Sequence, residues 1–163
     1  MSKTVNVLGH PVHQMLIPIP LGLLVVASAI DIVSALAGST ALAPVSYWNI
    51  WVAIIAGLVA AVFGALDWWR IPSGTRAKRI GVLHGGGNVL LVVLFLIAAL
   101  ARSDNATYAP STGVVILEFI GLLLGSVTGW LGGELVDRLG IGVADEANVN
   151  ASSSLSSAVR AYR

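Results

Sequence analysis

The chain has 163 residues, of which 56% are hydrophobic and only 10% charged, and its mean hydropathy is +0.88. Soluble domains carry about 25% charged residues, so this is the composition of a membrane protein, at a length that suits one domain. A net charge of +1 gives no basic footprint for nucleic acid. The absence of cysteine excludes disulfides, thiolate metal sites, cysteine-ligated iron–sulfur clusters and covalent c-type haem attachment.

The first patterned segment is His10-Pro11-Val12-His13, a two-histidine turn whose proline fixes the backbone. Pro18 and Pro20 follow at the first helical turns, where proline is tolerated. The first apolar run extends from about Met15 to Ala37. Lys3 before it and Ala41-Leu42-Ala43 after it resemble a secretory signal. The stretch Leu16 to Leu36 is longer than the roughly 7–15 residues of a signal core, and it carries Asp31, so it is predicted to be a retained span. The second run, Ile50 to Trp69, ends on Asp67 and two tryptophans. The third, Ile80 to Ala101, holds His84, Gly85-Gly86-Gly87 and Asn88 near its start. The fourth, Gly113 to Val136, holds Glu118, glycines at 121, 125 and 129, then Gly132-Gly133-Glu134.

Each run approaches or exceeds the roughly 20 residues that cross about 30 Å of hydrocarbon as a helix. Each is apolar nearly all round, as a lipid-facing helix is, and the alternation of a membrane barrel is absent. Short connections, residues 38–49, 70–79 and 102–112, make successive helices antiparallel neighbours. The predicted fold is an all-α integral membrane antiparallel four-helix bundle over residues 1–144. A polar, serine-rich tail, residues 145–163, follows and is expected to be loosely attached.

Lysine and arginine set the orientation, because they collect on the cytoplasmic side. Arg70, Arg76, Lys78 and Arg79 fill the middle connection; the first has none, and the third only Arg102. The middle connection and both termini are therefore predicted to be cytoplasmic, in a bacterial inner membrane. Lys3, Arg138, Arg160 and Arg163 agree. Tyr47, Trp48 and Trp51 then mark the outer interface, and Trp68 and Trp69 the inner one.

Depth along the helices divides the titratable groups into two layers. His10, His13, Asp67, His84 and Glu134 each fall within about two turns of the cytoplasmic boundary, so every helix contributes to one layer. Asp31 lies roughly 27 Å beyond His13, and Glu118 roughly 24 Å from Glu134, at the other boundary. There the expectation is that they approach each other between spans one and four, either protonated, or marking a proton path, or joined by a structural hydrogen bond.

The cytoplasmic layer has the make-up of a metal or haem site in a bundle core. Imidazole suits iron, copper and zinc, and carboxylates suit harder ions. The candidate metal ligands are His10, His13, His84, Asp67 and Glu134. His10, His13, His84 and Asn88, one turn beyond His84, are the candidates against a haem. Spans one and three are diagonal in an up-down bundle, so opposed histidines on them could ligate a haem iron from both sides. The plainer alternatives are an Asp67–Arg70 ion pair, a Glu134–Arg138 pair in the favourable helix order, and His84 donating to a neighbouring helix's carbonyl. The glycines at 121, 125 and 129 make one face of span four smooth. That face admits another span, a second copy of the chain or a flat cofactor.

The ordered motifs His10-Pro11-x-His13, Gly64-x-x-Asp67-Trp68-Trp69, Pro72-x-Gly74-Thr75-Arg76-Ala77, His84 with Asn88, and Gly129-Trp130-Leu131-Gly132-Gly133-Glu134 resemble a bacterial family of four-span membrane proteins, domain of unknown function 2231. The resemblance covers about residues 8 to 144. It implies a multi-span inner-membrane protein. Association of such members with Rieske-type and other redox modules points to electron transfer and to redox-complex subunits as partners. The family's last motif often has a histidine where this chain has Leu139.

The leading expectation is a membrane protein that binds haem b or a non-haem metal ion for electron transfer, more a carrier than an enzyme. The alternative is a cofactor-free structural or accessory subunit, with the lipid bilayer and a homo-oligomer or complex as partners. A proton- or ion-coupled transporter fits less well, because the spans are unbroken and show no inverted repeat.

Overall fold

In the computed structural model, which describes residues 4–156, proline, glycine and short hydroxyl side chains set the helix ends. The helices are α1 (Val12–Leu16), α2 (Pro18–Ala37), α3 (Ala43–Arg70), α4 (Arg76–Leu100) and α5 (Thr112–Gly133), and α5 runs on into one π-helical turn, Glu134–Arg138. Pro44 lies in the first turn of α3, where its missing N–H has no intrahelical partner to lose, and Pro18 marks the join between α1 and α2. α2 stops at Gly38, whose left-handed backbone (φ 64°) turns the chain. Thr75 caps α4 by accepting from the Lys78 N–H at 3.1 Å, and Ser111 caps α5 by accepting from the Val114 N–H at 3.4 Å. Ile17 joins α1 to α2 in helical conformation, so Val12–Ala37 forms one span.

Among the described residues, four helices are long and apolar enough to cross a membrane. α2 packs along α3 and α4 along α5, and narrower seams between α3 and α4 and between α2 and α5 close the ring. The fold is the expected all-α membrane bundle, with α2 and α4 on its diagonal. Span two begins earlier than hydropathy indicates. Pro44 starts the helix, and Ser46, Tyr47 and Ile50 are already buried in it.

Phe95, fully buried, lies at the centre of the core with Leu24, Ala27, Ile50, Ile54, Leu91 and Ala99. Two glycines of α5 serve this packing. A Cβ on Gly121 would lie 2.7 Å from Phe95 Cε2, and one on Gly125 3.0 Å from Leu91 Cδ1. Most of the smooth face of span four is therefore taken up by α4 of the same chain; of the three glycines only Gly129 faces open space. Large apolar side chains such as Leu36, Val89 and Phe119 point outward, as lipid contact requires.

The chain enters through a feature the apolar runs do not reveal. Asn6–Val7 and His10–Pro11 form a two-residue-per-strand antiparallel hairpin outside the spans. Leu8 and Gly9 both have positive φ (51° and 84°), which matches the twist of a tight hairpin turn. Ile71, Ala77 and Ile141 form a second small core with Trp68, Leu135 and Leu139 packed against it. Lys3, Arg160, Arg163 and the end of the serine-rich tail, residues 157–163, lie outside the described residues.

Candidate functional site

The histidines of the first and third spans meet. The rings of His13 and His84 stand 6.4 Å apart, centre to centre, with their planes perpendicular. Each Nδ1 lies 2.8 Å from a backbone carbonyl, His13 on Ala60 of α3 and His84 on Thr128 of α5. A carbonyl only accepts, so both Nδ1 atoms carry the proton and donate it. Both Nε2 atoms are then left with a lone pair.

Glycine makes room for each ring. One helical turn beyond Ala60 is Gly64, whose Cβ, if present, would touch His13 Cε1 at 2.8 Å. One turn beyond Thr128 is Gly132, where a Cβ would lie 3.1 Å from His84 Cε1. The two arrangements repeat each other along the chain. His13 and His84 are separated by the same 71 positions as Asp31 and Arg102. Ala60 and Thr128 share a spacing with Gly64 and Gly132. The bundle is thus two similar helical hairpins, α2–α3 and α4–α5. Each supplies one histidine held by a carbonyl of its own hairpin.

The other expected ligands are engaged elsewhere. His10 is exposed on the N-terminal hairpin, because the extended backbone of Pro11 separates it from the helix that carries His13. Asp67 accepts the Val5 N–H at 2.6 Å and lies 4.0 Å from Arg70, so it tethers the N-terminal strand. Glu134 pairs with Arg76 of α4 at 2.5 Å in place of Arg138. Asn88 donates to the His84 carbonyl at 2.8 Å, has its amide nitrogen 3.4 Å from His84 Nε2, and accepts from the Thr128 hydroxyl. Leu139 packs in the small apolar core. No group of three or more His, Asp or Glu placed to hold a metal ion occurs among the described residues.

Residues 9–145 match the family described as "Predicted membrane protein (DUF2231)". The chain belongs to this family. No curated protein and no solved structure matches it. The matched DUF2231 region contains both histidines and, at the other end of the bundle, a second polar cluster.

That cluster is built around Arg102, which a count of loop charges reads as an exposed connection residue. Its guanidinium is buried, reaching Asp31 Oδ2 at 2.6 Å, the Ser46 hydroxyl at 2.8 Å and Glu118 Oε1 at 3.7 Å. Ser46 also donates to Asp31. The Tyr47 and Tyr108 rings stack at 4.3 Å, and the guanidinium lies 5.7 Å from the Tyr47 ring centre. Asp31 and Glu118 are therefore brought to one place. Two acids close together in apolar helices are the signal that calls for a buried cation. The nearest basic residue to that boundary in the sequence is Arg102.

Proposed function

We propose that this DUF2231 protein is a small electron-transfer component of the membrane, holding a b-type haem between His13 and His84. The observation that carries the reading is the pair of neighbouring imidazoles, 6.4 Å apart, with fixed tautomers. Two imidazoles bound to one ion through Nε2 from opposite sides have ring centres about 6 Å apart, given metal–nitrogen bonds of about 2.0–2.1 Å. The 6.4 Å separation fits that spacing. His13 and His84 alone would hold a haem, so the dispersal of His10, Asp67 and Glu134 does not count against it. Bound there, the haem would supply one-electron chemistry tuned by its axial ligands.

The chain's own residues have definable parts in this reading. His13 and His84 present Nε2. The carbonyls of Ala60 and Thr128 hold the rings in orientation and raise their basicity as ligands. Gly64 and Gly132 let the rings lie against the helix backbones. Asn88 braces the helix turn that carries His84.

The orientation belongs to the same proposal: a bacterial inner membrane, with both termini and the histidine pair towards the cytoplasm. Burial of Arg102 supports it, because the described residues of the opposite connections then expose no lysine or arginine.

The test is an absorbance spectrum with metal analysis of the detergent-purified protein. A haem Soret band lost in both His13→Ala and His84→Ala is the expected result. Absence of any band or bound metal overturns it. The second reading, a cofactor-free accessory subunit, is favoured by one observation: both imidazoles already tie helices together through their Nδ1–H bonds. On that reading His84→Ala alters complex assembly, and no variant changes a spectrum.

A further inference from the structure

At the opposite end of the bundle, two acids face one cation. The side chains of Asp31, Glu118 and Arg102 are 0%, 1% and 1% exposed. With both acids ionised, the cluster would hold a net negative charge in a space closed to counter-ions, a state that buried groups avoid by neutralising. The hydrogen bonds show which acid is matched. Asp31 Oδ2 takes the Arg102 guanidinium and the Ser46 hydroxyl. Glu118 Oε1 stands 3.7 Å from that guanidinium, beyond hydrogen-bond reach, and neither Glu118 oxygen has a hydrogen-bond partner. Asp31 Oδ1 and Ser28 Oγ are unpartnered in the same cluster. The groups facing Glu118 are Asp31 and Ser28 of α2 and Arg102 beyond the end of α4.

We propose that Glu118 is a proton-binding site, carrying an exchangeable proton as a neutral carboxyl while Asp31 remains the ionised partner of Arg102. Adding one proton to the Glu118 carboxylate brings the three groups to zero net charge. It also creates an O–H donor for the unpartnered Asp31 Oδ1. A metal cation fits less well than a proton, because the guanidinium already occupies the space between the acids. A pocket of about 170 Å³ opens at this end of the bundle, lined by Ser34, Ser39, Thr40 and Pro110 among others. Ser34 lies one helical turn beyond Asp31 on the same face of α2. The pocket has room for several waters, and Ser34 brings its wall to within one helical turn of Asp31. The site is independent of any group at the histidine pair.

The test is infrared spectroscopy of the full chain in detergent or vesicles at neutral pH. The expected result is a C=O stretch of a protonated carboxylic acid that shifts in D2O, vanishes in Glu118→Gln and moves in Glu118→Asp. Thermal unfolding of Glu118→Gln should match the parent, with Glu118→Ala lower. A parent protein with no protonated-carboxyl band overturns the proposal without any variant. A band unchanged in Glu118→Gln and lost in Asp31→Asn puts the proton on the other acid and also overturns it. Glu118→Gln unfolding as early as Glu118→Ala would mean that the ionised form is required, and the proposal would fall on that result too.

Discussion

The two polar layers of the bundle use equivalent positions in opposite ways. At the end near the N-terminus the two hairpins contribute the same residue, His13 and His84, and each ring is bonded within its own hairpin. At the other end they contribute complementary residues, Asp31 and Arg102, bonded across the bundle from one hairpin to the other. Each ring takes a carbonyl through Nδ1, which leaves a lone pair on each Nε2. Opposite charges satisfy each other and hold the hairpins together. The first layer retains capacity for a ligand, and the second spends its capacity on assembly, except at Glu118.

The largest effect should come from breaking the second layer. Arg102→Leu leaves two buried acids without a cation and should cost about 3–5 kcal/mol, the loss typical when one partner of a buried pair is removed. Thermal unfolding in detergent would measure it. Replacing Asp31, Glu118 and Arg102 together by apolar residues should restore much of the loss, because no unpaired charge remains. A small effect from Arg102→Leu alone would mean that water reaches the layer.

Packing between α4 and α5 ranks next. Gly121→Ala puts a methyl 2.7 Å from Phe95 Cε2, and overpacking of this kind costs about 1–3 kcal/mol. Gly129→Ala, with nothing within 4 Å, is the control and should leave the unfolding temperature unchanged.

The histidine layer should matter less to stability than to binding. His13→Ala removes the bond to the Ala60 carbonyl, and His84→Ala removes the bond to Thr128. Single hydrogen bonds within membrane bundles average about 0.6 kcal/mol, so both variants should unfold close to the parent while losing any bound chromophore. A loss as large as that of Arg102→Leu would erase the distinction between the layers.

The smallest effect belongs to Arg76–Glu134. Its arginine side chain is 53% exposed, and a double-mutant cycle should return less than about 1 kcal/mol, falling with added salt.

Sequence patterns located much of this. Hydropathy over about 20 residues does not depend on neighbours, so the four spans follow directly from composition. Residue counting along a helix gives depth, which separates His13 and His84 from Asp31 and Glu118. Arg102 was hidden because a charge at the end of an apolar run reads as loop. Only the approach of α2, α3 and α5 around it turns it into a buried cation. His10 and His13 look like one motif in the sequence, but Pro11 ends a strand and starts a helix between them. Glu134 has Arg138 four residues away, yet the π-helical turn and the start of α4 give it Arg76.

The sequence by itself determined that the chain spans a membrane four times and that its titratable groups occupy two depths. Both follow from local properties, apolar length and helical rise. The tertiary structure alone decided which groups meet at each depth, because contact depends on how helices are rotated and how closely glycine lets them approach. That is why five candidate ligands became one histidine pair, and why two distant acids and a loop arginine became one cluster.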